Sequence, residues 1–426
     1  MQEKVAIIGV GYVGLPLALR FAQMGRAVFA IDVDGQKVSA LNQGSSYIHE
    51  IPSADIAEAV DRGLLEATSD FSNIQNAEAI IVCVPTPLTS NREPNLGFVL
   101  QTARSIGPNL KKGQLVCLES TTYPGTTTGE FRMALEQSSG LKAGEGFHLA
   151  FSPEREDPGN PDSRIGRVPK IVGGLTSACQ KKAVELYGSI AGSVVQVSSC
   201  EVAEAAKLLE NIFRSVNIAL VNELKIIYDR MGIDVWDVIE AAKTKPFGFM
   251  PFYPGPGLGG HCIPIDPFYL TWKAREFGES TRFIELAGEI NRSMPQFVLE
   301  KIQDALNDRG KAVRGSRIII IGLAYKPDVN DCRESPSFEL MNLLHDRGAE
   351  VSYHDPFVAT IPPTRKNPHW TGQPSIEWTE SNIRNTDLAV IITHHSNVNY
   401  QELQDWAPHI VDTRNVLPAS EKITKA

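Results

Sequence analysis

Cys262 is the residue whose surroundings most clearly indicate chemistry. It lies in the segment 255–267, GPGLGGHCIPIDP, where four glycines and three prolines surround one thiol. Glycine lets the backbone approach a ligand closely, while Pro264 and Pro267 stiffen the chain beyond the cysteine. We expect this segment to be neither helix nor central strand and to present the thiol to a ligand.

An exposed thiolate has a specific use beside a nicotinamide cofactor. Once hydride transfer has made an aldehyde, thiolate attack gives a thiohemiacetal, a second hydride transfer gives a thioester, and water releases a carboxylate. This chemistry needs oxyanion donors and a carboxylate for proton transfer, and the candidates are Lys207, Asn211, Asp266 and Glu154. A structural or redox-sensing role for Cys262 is the alternative.

The N-terminal segment carries a dinucleotide fingerprint. Residues 4–34, KVAIIGVGYVGLPLALRFAQMGRAVFAIDVD, have the pattern of a strand, a glycine turn, a helix and a strand. Gly9, Gly11 and Gly14 fit G-x-G-x-x-G, and Asp32 lies where a carboxylate accepts hydrogen bonds from a ribose diol. The sequence therefore favours NAD over NADP, although Lys37 nearby leaves NADP as an alternative.

Further apolar runs predict more strands of a doubly wound parallel sheet, at 79–84, 115–118 and 148–151. Polar loops follow these runs, where an open α/β sheet places its ligand crevice. Thr86, Thr121 and Glu154 in those loops are candidate functional residues. A capping or turn role is the alternative for each.

One long helix is predicted over 201–231, which contains no glycine or proline. Lys207 and Asn211 are four residues apart and therefore share one face of it, unless they belong to a solvated stripe. A helix of this length could also pack against a second copy of itself, so we expect a homodimer.

The α/β pattern restarts after about residue 299. Residues from 316 onward predict a strand, a loop, a helix and a strand ending in Asp355, and the loop carries Lys326 and Arg333. These two cations suit phosphate binding, although each could be an ordinary surface cation. The predicted fold is α/β, with two Rossmann-like doubly wound domains joined by a long central helix.

Composition narrows the class of partner. The chain has 426 residues and a formal net charge of -9, with no basic cluster that would indicate nucleic acid or a membrane surface. Six scattered cysteines favour reduced thiols in the cytoplasm, and neither cysteines nor histidines show a metal-site spacing. We expect a small-molecule substrate and no metal.

Five motifs in this order resemble the UDP-sugar 6-dehydrogenase family across essentially the whole chain: ESTTYPGTT, SPEREDPG, KLLEN, PGPGLGGHCIPIDP and AYKPDVNDCRES. The resemblance implies oxidation of a C6 alcohol to a carboxylate with two NAD per turnover. It also implies an NAD-binding domain at 1–198, a central dimerisation region with the cysteine loop at 199–298, and a UDP-sugar-binding domain at 299–426.

Matched by position, the resemblance makes Cys262 the nucleophile, Lys207 and Asn211 the oxyanion donors, and Asp266 the acid that assists proton transfer and thioester breakdown. Glu154 and Thr121 match groups around the hydrolytic water. The predicted cofactor site comprises Gly9, Gly11, Tyr12, Val13, Gly14, Asp32, Lys37, Thr86, Thr121 and Arg333. The predicted substrate site comprises Glu154, Arg155, Lys207, Asn211, Arg214, Phe252, Tyr253, Gly257, Lys326 and Arg333.

The sugar is indicated by the loops at 152–161 and 247–262. Arg155 and Glu156 follow Glu154, where the UDP-glucose branch typically has hydrophobic residues. The loops are most similar to bacterial UDP-N-acetylglucosamine 6-dehydrogenases, which supply uronic acids for surface polysaccharides such as O-antigen. UDP-N-acetylmannosamine, UDP-N-acetylgalactosamine and UDP-glucose remain alternative substrates, and a non-catalytic NAD and nucleotide-sugar sensor is the alternative outside enzymes.

Overall fold

The computed structural model describes residues 4–89, 91–155, 166–260, 263–364 and 366–426. The chain divides into two compact units. Unit 1 comprises Met1–Glu210 and Phe268–Ser280, and unit 2 comprises Asn211–Pro267 and Thr281–Ala426. The division into three domains at 198 and 298 stays a prediction.

A mostly parallel sheet forms the centre of unit 1. Its described strands are β1 (Lys4–Ile8), β2 (Ala27–Ile31), β3 (Leu65–Thr68), β4 (Ala77–Val82), β5 (Leu115–Leu118), β6 (His148–Phe151), β7 (Lys170–Gly174) and β8 (Val194–Gln196). Their order is β3-β2-β1-β4-β5-β6-β7-β8, and the β6–β7 pair is antiparallel. The order reverses at β1 and β4, which places a ligand crevice at the carboxyl ends of these two strands.

The strands are apolar because helices cover both faces of the sheet. Val5 and Ile7 belong to one buried cluster, while Ala6 and Ile8 belong to another, as the alternation of side chains along a strand requires. The covering helices are α1 (Gly14–Gln23), α2 (Gly35–Asn42), α3 (Ser53–Asp61), α4 (Gly97–Ile106), α5 (Arg132–Ser139) and α6 (Ser177–Gly188).

The predicted long helix is continuous from Cys200 to Met231 and is labelled α7. It is followed by α8 (Val235–Lys243), α9 (Asp266–Arg275) and α10 (Arg282–Asn307). The start of α9 corrects one expectation, because Asp266 and Pro267 of the cysteine segment are helical. Proline is tolerated in the first turn of a helix, where its missing N–H has no helical partner.

Unit 2 has its own parallel sheet. Its described strands are β9 (Arg317–Ile321), β10 (Glu350–His354), β11 (Leu388–Ile391), β12 (Ile410–Asp412) and β13 (Ile423–Lys425). Its later helices are α11 (Pro336–Asp346), α12 (Glu380–Arg384) and α13 (Tyr400–Trp406). The order β10-β9-β11-β12-β13 reverses between β9 and β11, so the loop after β9 lies at a second switch point.

Both units therefore have the doubly wound α/β architecture that the sequence predicted. Among the helices that the structure describes, none combines the length and the apolar character needed to cross a membrane.

Candidate active site

The glycine turn after β1 fits a dinucleotide. A Cβ on Gly14 would lie 1.9 Å from the carbonyl oxygen of Gly9, so the missing side chain allows the start of α1 to pack against the strand end. Gly9 has φ +89, and a Cβ there would lie 2.6 Å from the carbonyl oxygen of Cys83. A Cβ on Gly11 would instead meet no atom within 4 Å, which leaves space for a pyrophosphate at the N-terminus of α1.

Asp32 occupies the predicted ribose position at the end of β2. Its Oδ2 accepts a hydrogen bond from the Val10 amide at 3.0 Å, which fixes the carboxylate over the glycine turn. Lys37 Nζ lies 3.4 Å from the same oxygen, so its charge is paired with Asp32 in this structure. The arrangement fits the ribose diol of NAD, whose hydroxyls donate to a carboxylate.

The remaining predicted cofactor residues of unit 1 flank this turn. Tyr12 and Val13 are half-buried, and Tyr12 packs against the core beneath α1. Thr86 is buried in the loop after β4, and its carbonyl oxygen accepts a hydrogen bond from Tyr269 Oη at 2.7 Å.

Glu154 lies just after β6 and is held by two lysines. Lys207 on α7 donates to its carbonyl oxygen, and Lys170 at the start of β7 lies 3.1 Å from its Oε2. The two predicted residues Glu154 and Lys207 are therefore in contact. Lys170 and its second partner, Glu119, were not predicted as site residues. The signal that could have found Lys170 is its position as the first residue of the apolar run 170–174, where a charged side chain must be buried.

The loop containing Thr121 is fixed by a second unpredicted acid. Glu204 on α7 is fully buried and accepts hydrogen bonds from the amides of Gly125 at 2.7 Å and Thr127 at 2.9 Å, and from Thr127 Oγ1 at 2.6 Å. Burial raises the pKa of Glu204 to about 7, against the opposing effect of these hydrogen bonds. Thr121 itself is half-buried at the start of this loop.

Asn211 and Asp266 meet in unit 2. Asn211 is fully buried, and its Nδ2 donates to Asp266 Oδ2 at 2.6 Å. Arg214, one turn further along α7, donates to Asn211 Oδ1, so three predicted residues form one hydrogen-bonded group. Cys262 and Glu156 lie outside the described residues.

Two aromatic residues of the segment before the cysteine make ring contacts within unit 2. Phe252 meets Phe213 edge to face at 5.6 Å between ring centroids, and Tyr253 stacks on Trp236 at 5.7 Å. A Cβ on Gly257, which has φ +131, would lie 3.2 Å from Pro336. Glycine is thus required at this position of the predicted substrate site.

The loop after β9 carries the two predicted phosphate-binding cations. Lys326 Nζ lies 5.6 Å from the ring centroid of Tyr325. Arg333 is half-exposed and forms a bidentate pair with Asp331, with its Nε 2.9 Å from Oδ1 and its Nη2 2.6 Å from Oδ2. Asp355 at the end of β10 accepts hydrogen bonds from two amides of this loop and from His395.

Arg155 is engaged within unit 1. Its Nε donates to Glu210 Oε1 at 2.9 Å and its Nη1 donates to the carbonyl oxygen of Pro169 at 2.7 Å.

Comparison with known proteins agrees with this arrangement. Models of the UDP-glucose/GDP-mannose dehydrogenase family match the NAD binding domain at residues 3–191, the central domain at 201–293 and the UDP binding domain at 319–419. A UDP-N-acetyl-D-glucosamine 6-dehydrogenase from Pseudomonas aeruginosa is 38% identical over 357 residues, which cover 84% of this chain and 83% of that protein.

Solved structures extend the similarity to the whole chain. The UDP-D-ManNAc dehydrogenase from Pyrococcus horikoshii superimposes with a TM-score of 0.89 at 31% identity, covering 98% of this chain and 96% of that one. An NDP-N-acetyl-D-galactosaminuronic acid dehydrogenase from Methanosarcina mazei Go1 gives a TM-score of 0.80 at 32% identity, covering 98% and 92%. This chain belongs to the UDP-glucose/GDP-mannose dehydrogenase family and is an NAD-dependent UDP-sugar dehydrogenase.

Proposed function

We propose that this chain oxidises the C6 alcohol of UDP-N-acetyl-D-glucosamine to the uronic acid with two NAD per turnover. The observation that carries the chemistry is the arrangement on α7, where Lys207 contacts Glu154 and Asn211 contacts Asp266. Each predicted oxyanion donor is thus held beside a predicted acid-base residue. The 38% identity to the Pseudomonas aeruginosa enzyme supports the choice of sugar.

The first oxidation removes a hydride from C6 and a proton from the hydroxyl. Bound NAD supplies the acceptor for the hydride. Asp266 accepts the proton, while Lys207 and Asn211 donate hydrogen bonds to the oxygen as negative charge develops on it. The product is an aldehyde.

Cys262 then keeps the half-oxidised sugar on the protein. Its thiolate adds to the aldehyde and the oxygen takes up a proton, which gives a thiohemiacetal. Loss of a second hydride and a proton gives a thioester. Water, positioned by Glu154 and Thr121, adds to the thioester and releases the carboxylate and the thiol, so one alcohol, two NAD⁺ and one water give one carboxylate, two NADH and three protons.

UDP-N-acetyl-D-mannosamine is the second candidate substrate. The UDP-N-acetyl-D-mannosamine dehydrogenase of Pyrococcus horikoshii is 32% identical over 97% of this chain, a wider match than that of the glucosamine enzyme. UDP-N-acetylgalactosamine and UDP-glucose are less favoured candidate substrates than these two sugars.

The test is a stoichiometric assay of the purified chain with NAD and each of the four UDP-sugars. We expect two NADH per sugar consumed and the highest kcat/KM with UDP-N-acetyl-D-glucosamine. Faster turnover of the mannosamine substrate would replace the proposed sugar. One NADH per sugar with accumulating aldehyde would refute the cysteine mechanism, and nucleotide binding without turnover would favour a sensor.

We also propose that the chain forms a homodimer through α7. Leu209, Phe213 and Leu220 on this helix are 66%, 45% and 51% exposed. Apolar surface of this kind on a long helix is typical of a protein contact.

The product would serve as a uronic acid donor for a bacterial surface polysaccharide such as O-antigen. We propose that the reaction takes place in the cytoplasm, because the cysteines show no paired spacing and the five described ones are free thiols, which a reducing compartment favours.

A further inference from the structure

Lys170 lies in a buried cluster of charges beside the predicted site of unit 1. It is 4% exposed, and its Nζ lies 2.8 Å from Glu119 Oε2 and 3.1 Å from Glu154 Oε2. Glu119 is also buried, and its Oε1 accepts a hydrogen bond from Tyr187 Oη at 2.5 Å. One ammonium group therefore bridges two carboxylates that come from different strand ends.

This cluster affects the charge of Glu154 more than it affects the stability of the fold. A buried ion pair contributes little net stability, because removing charges from water costs about as much as their attraction returns. Removing the ammonium alone would take a positive charge from buried Glu119 and from half-buried Glu154, which disfavours their ionised form. The Lys170 ammonium, 3.1 Å from Glu154 Oε2, therefore favours the ionised form of Glu154.

Lys170 also fixes the direction of the Glu154 side chain. Lys170 is the first residue of β7, paired with Val194, and its amide donates to the carbonyl oxygen of Ser193 at 3.0 Å. Its ammonium holds Glu154 Oε2, while the amide of Arg155 donates to Oε1 at 2.6 Å. Both carboxylate oxygens are thus held by donors anchored in the backbone of unit 1.

We propose that Lys170 is a positioning residue for the reaction, which keeps Glu154 ionised and oriented to accept a proton from the hydrolytic water. The proposal rests on the function proposed above, in which Glu154 lies beside that water. A protonated or misdirected Glu154 could not activate the water, so the thioester would form normally and break down slowly.

The charge of Lys170 is constant over the working pH range. Burial acts to lower its pKa, but the two carboxylates outweigh burial and raise the pKa well above its usual range. Burial raises the pKa of Glu119. Among the described residues, five titratable groups face Lys170: Glu119 after β5, Glu154 after β6, Tyr187 on α6, Cys117 on β5 and Cys83 after β4. Lys207 of α7 is close as well, because it donates to the carbonyl oxygen of Glu154.

The test compares Lys170→Gln with Lys170→Arg in the full-length enzyme. Gln removes the charge, whereas the guanidinium of Arg keeps it and can bridge two carboxylates. For Lys170→Gln we expect kcat to fall about 10- to 100-fold, less than the ~10²–10⁴ that a general base contributes. KM for the UDP-sugar should fall together with kcat, so that kcat/KM stays within about threefold, because kcat/KM reports only the steps up to formation of the thioester.

Two readouts separate positioning from a merely structural role. Rapid mixing of Lys170→Gln should give a burst of two NADH per active site before slow turnover, which identifies thioester breakdown as the impaired step. The acid limb of its kcat profile should move to higher pH, and Lys170→Arg should return the limb towards its original position. Lys181→Gln, which removes an ammonium on a side chain that is 80% exposed, is the matched control and should match the parent enzyme in kcat, kcat/KM, burst and acid limb.

Unchanged kcat and pH profile in Lys170→Gln, with an active parent enzyme, would overturn the proposal. An equal loss in the Gln and Arg variants without the burst would also overturn it. Inactivity of the parent enzyme with every UDP-sugar would instead refute the proposed function. If Lys170→Gln loses its fold, the double variant Glu119→Gln/Lys170→Gln buries one carboxylate fewer and must still show the burst and the shifted limb.

Discussion

Burial makes most of the described thiols poor nucleophiles. It raises the pKa of Cys117 to about 12 and that of Cys332 to about 11, and it raises the pKa of Cys83 and Cys200 as well. A thiol must ionise to attack a carbonyl carbon, so these side chains act as small hydrophobic groups. The assignment of Cys262 as the nucleophile therefore has no strong competitor among these four.

Replacement of Cys262 tests that assignment directly. Cys262→Ala should abolish uronate formation, because no thioester can form, while NAD and UDP-sugar still bind. Product analysis with calorimetric binding measurements checks both parts. Cys179→Ser is the control, since Cys179 is buried in α6 and its sulfur accepts hydrogen bonds that a hydroxyl can also accept. Uronate formation by Cys262→Ala at the parental rate would exclude the thiol from the reaction.

At the scale of elements, α7 organises the predicted site through its periodicity. Glu204, Lys207 and Asn211 recur at intervals of three and four residues and therefore share one face of the helix. Glu204 holds the loop at 122–127, Lys207 holds Glu154, and Asn211 holds Asp266. Each of these side chains thus contacts a group from a distant part of the chain, the first two within unit 1 and the third within unit 2.

Glu204→Gln should destabilise unit 1 and change its response to pH. The amide keeps the shape but turns N–H groups towards the donors of the loop, so we expect a loss of about 1–3 kcal/mol. The folded-state pKa of about 7 lies above the ~4.3 of an unfolded glutamate, so the folded state binds the extra proton between these values. The stability that Glu204 contributes is therefore present below about pH 4 and lost as the pH rises to 7.

The measurement is the melting temperature of the parent and variant at pH 5 and pH 8. The melting temperature of the parent should exceed that of Glu204→Gln by less at pH 8 than at pH 5. Glu201→Gln is the control, because hydrogen bonds from Thr128 and Ser199 outweigh burial and lower the pKa of Glu201. Its stability difference should be the same at both pH values. A difference in melting temperature between the parent and Glu204→Gln that increases with pH would contradict the assigned pKa of Glu204.

At the scale of the molecule, the exposed apolar residues of α7 predict the oligomeric state. Leu220→Glu should convert the proposed dimer into a monomer, because a carboxylate would be buried without a partner at the contact. Sedimentation velocity checks the mass. Met133→Glu on α5, where the methionine is 47% exposed, is the matched control and should stay dimeric. A monomeric parent chain would exclude the dimer.

Local patterns predicted most of the elements. The bounds 115–118 and 148–151 agree with β5 and β6, and the long helix starts one residue before the predicted position. The apolar run at 79–84 extends beyond β4, which ends at Val82, because Cys83 and Val84 already belong to the switch-point loop. The prediction of a non-helical segment at 255–267 is wrong at Asp266 and Pro267, because a proline in the first turn is compatible with a helix.

The sequence by itself determined the α/β class and the NAD fingerprint, because these depend on apolar periodicity, turn chemistry and spacing over a few residues. The family followed from the resemblance of five motifs, and the roles of the candidate site residues stay a prediction. Only the tertiary structure decided that Lys170 bridges Glu119 and Glu154 and that Glu204 holds the loop at 122–127. These residues lie far apart in the sequence. Their contacts depend on the order of strands in the sheet and on the packing of α7, which no local pattern encodes.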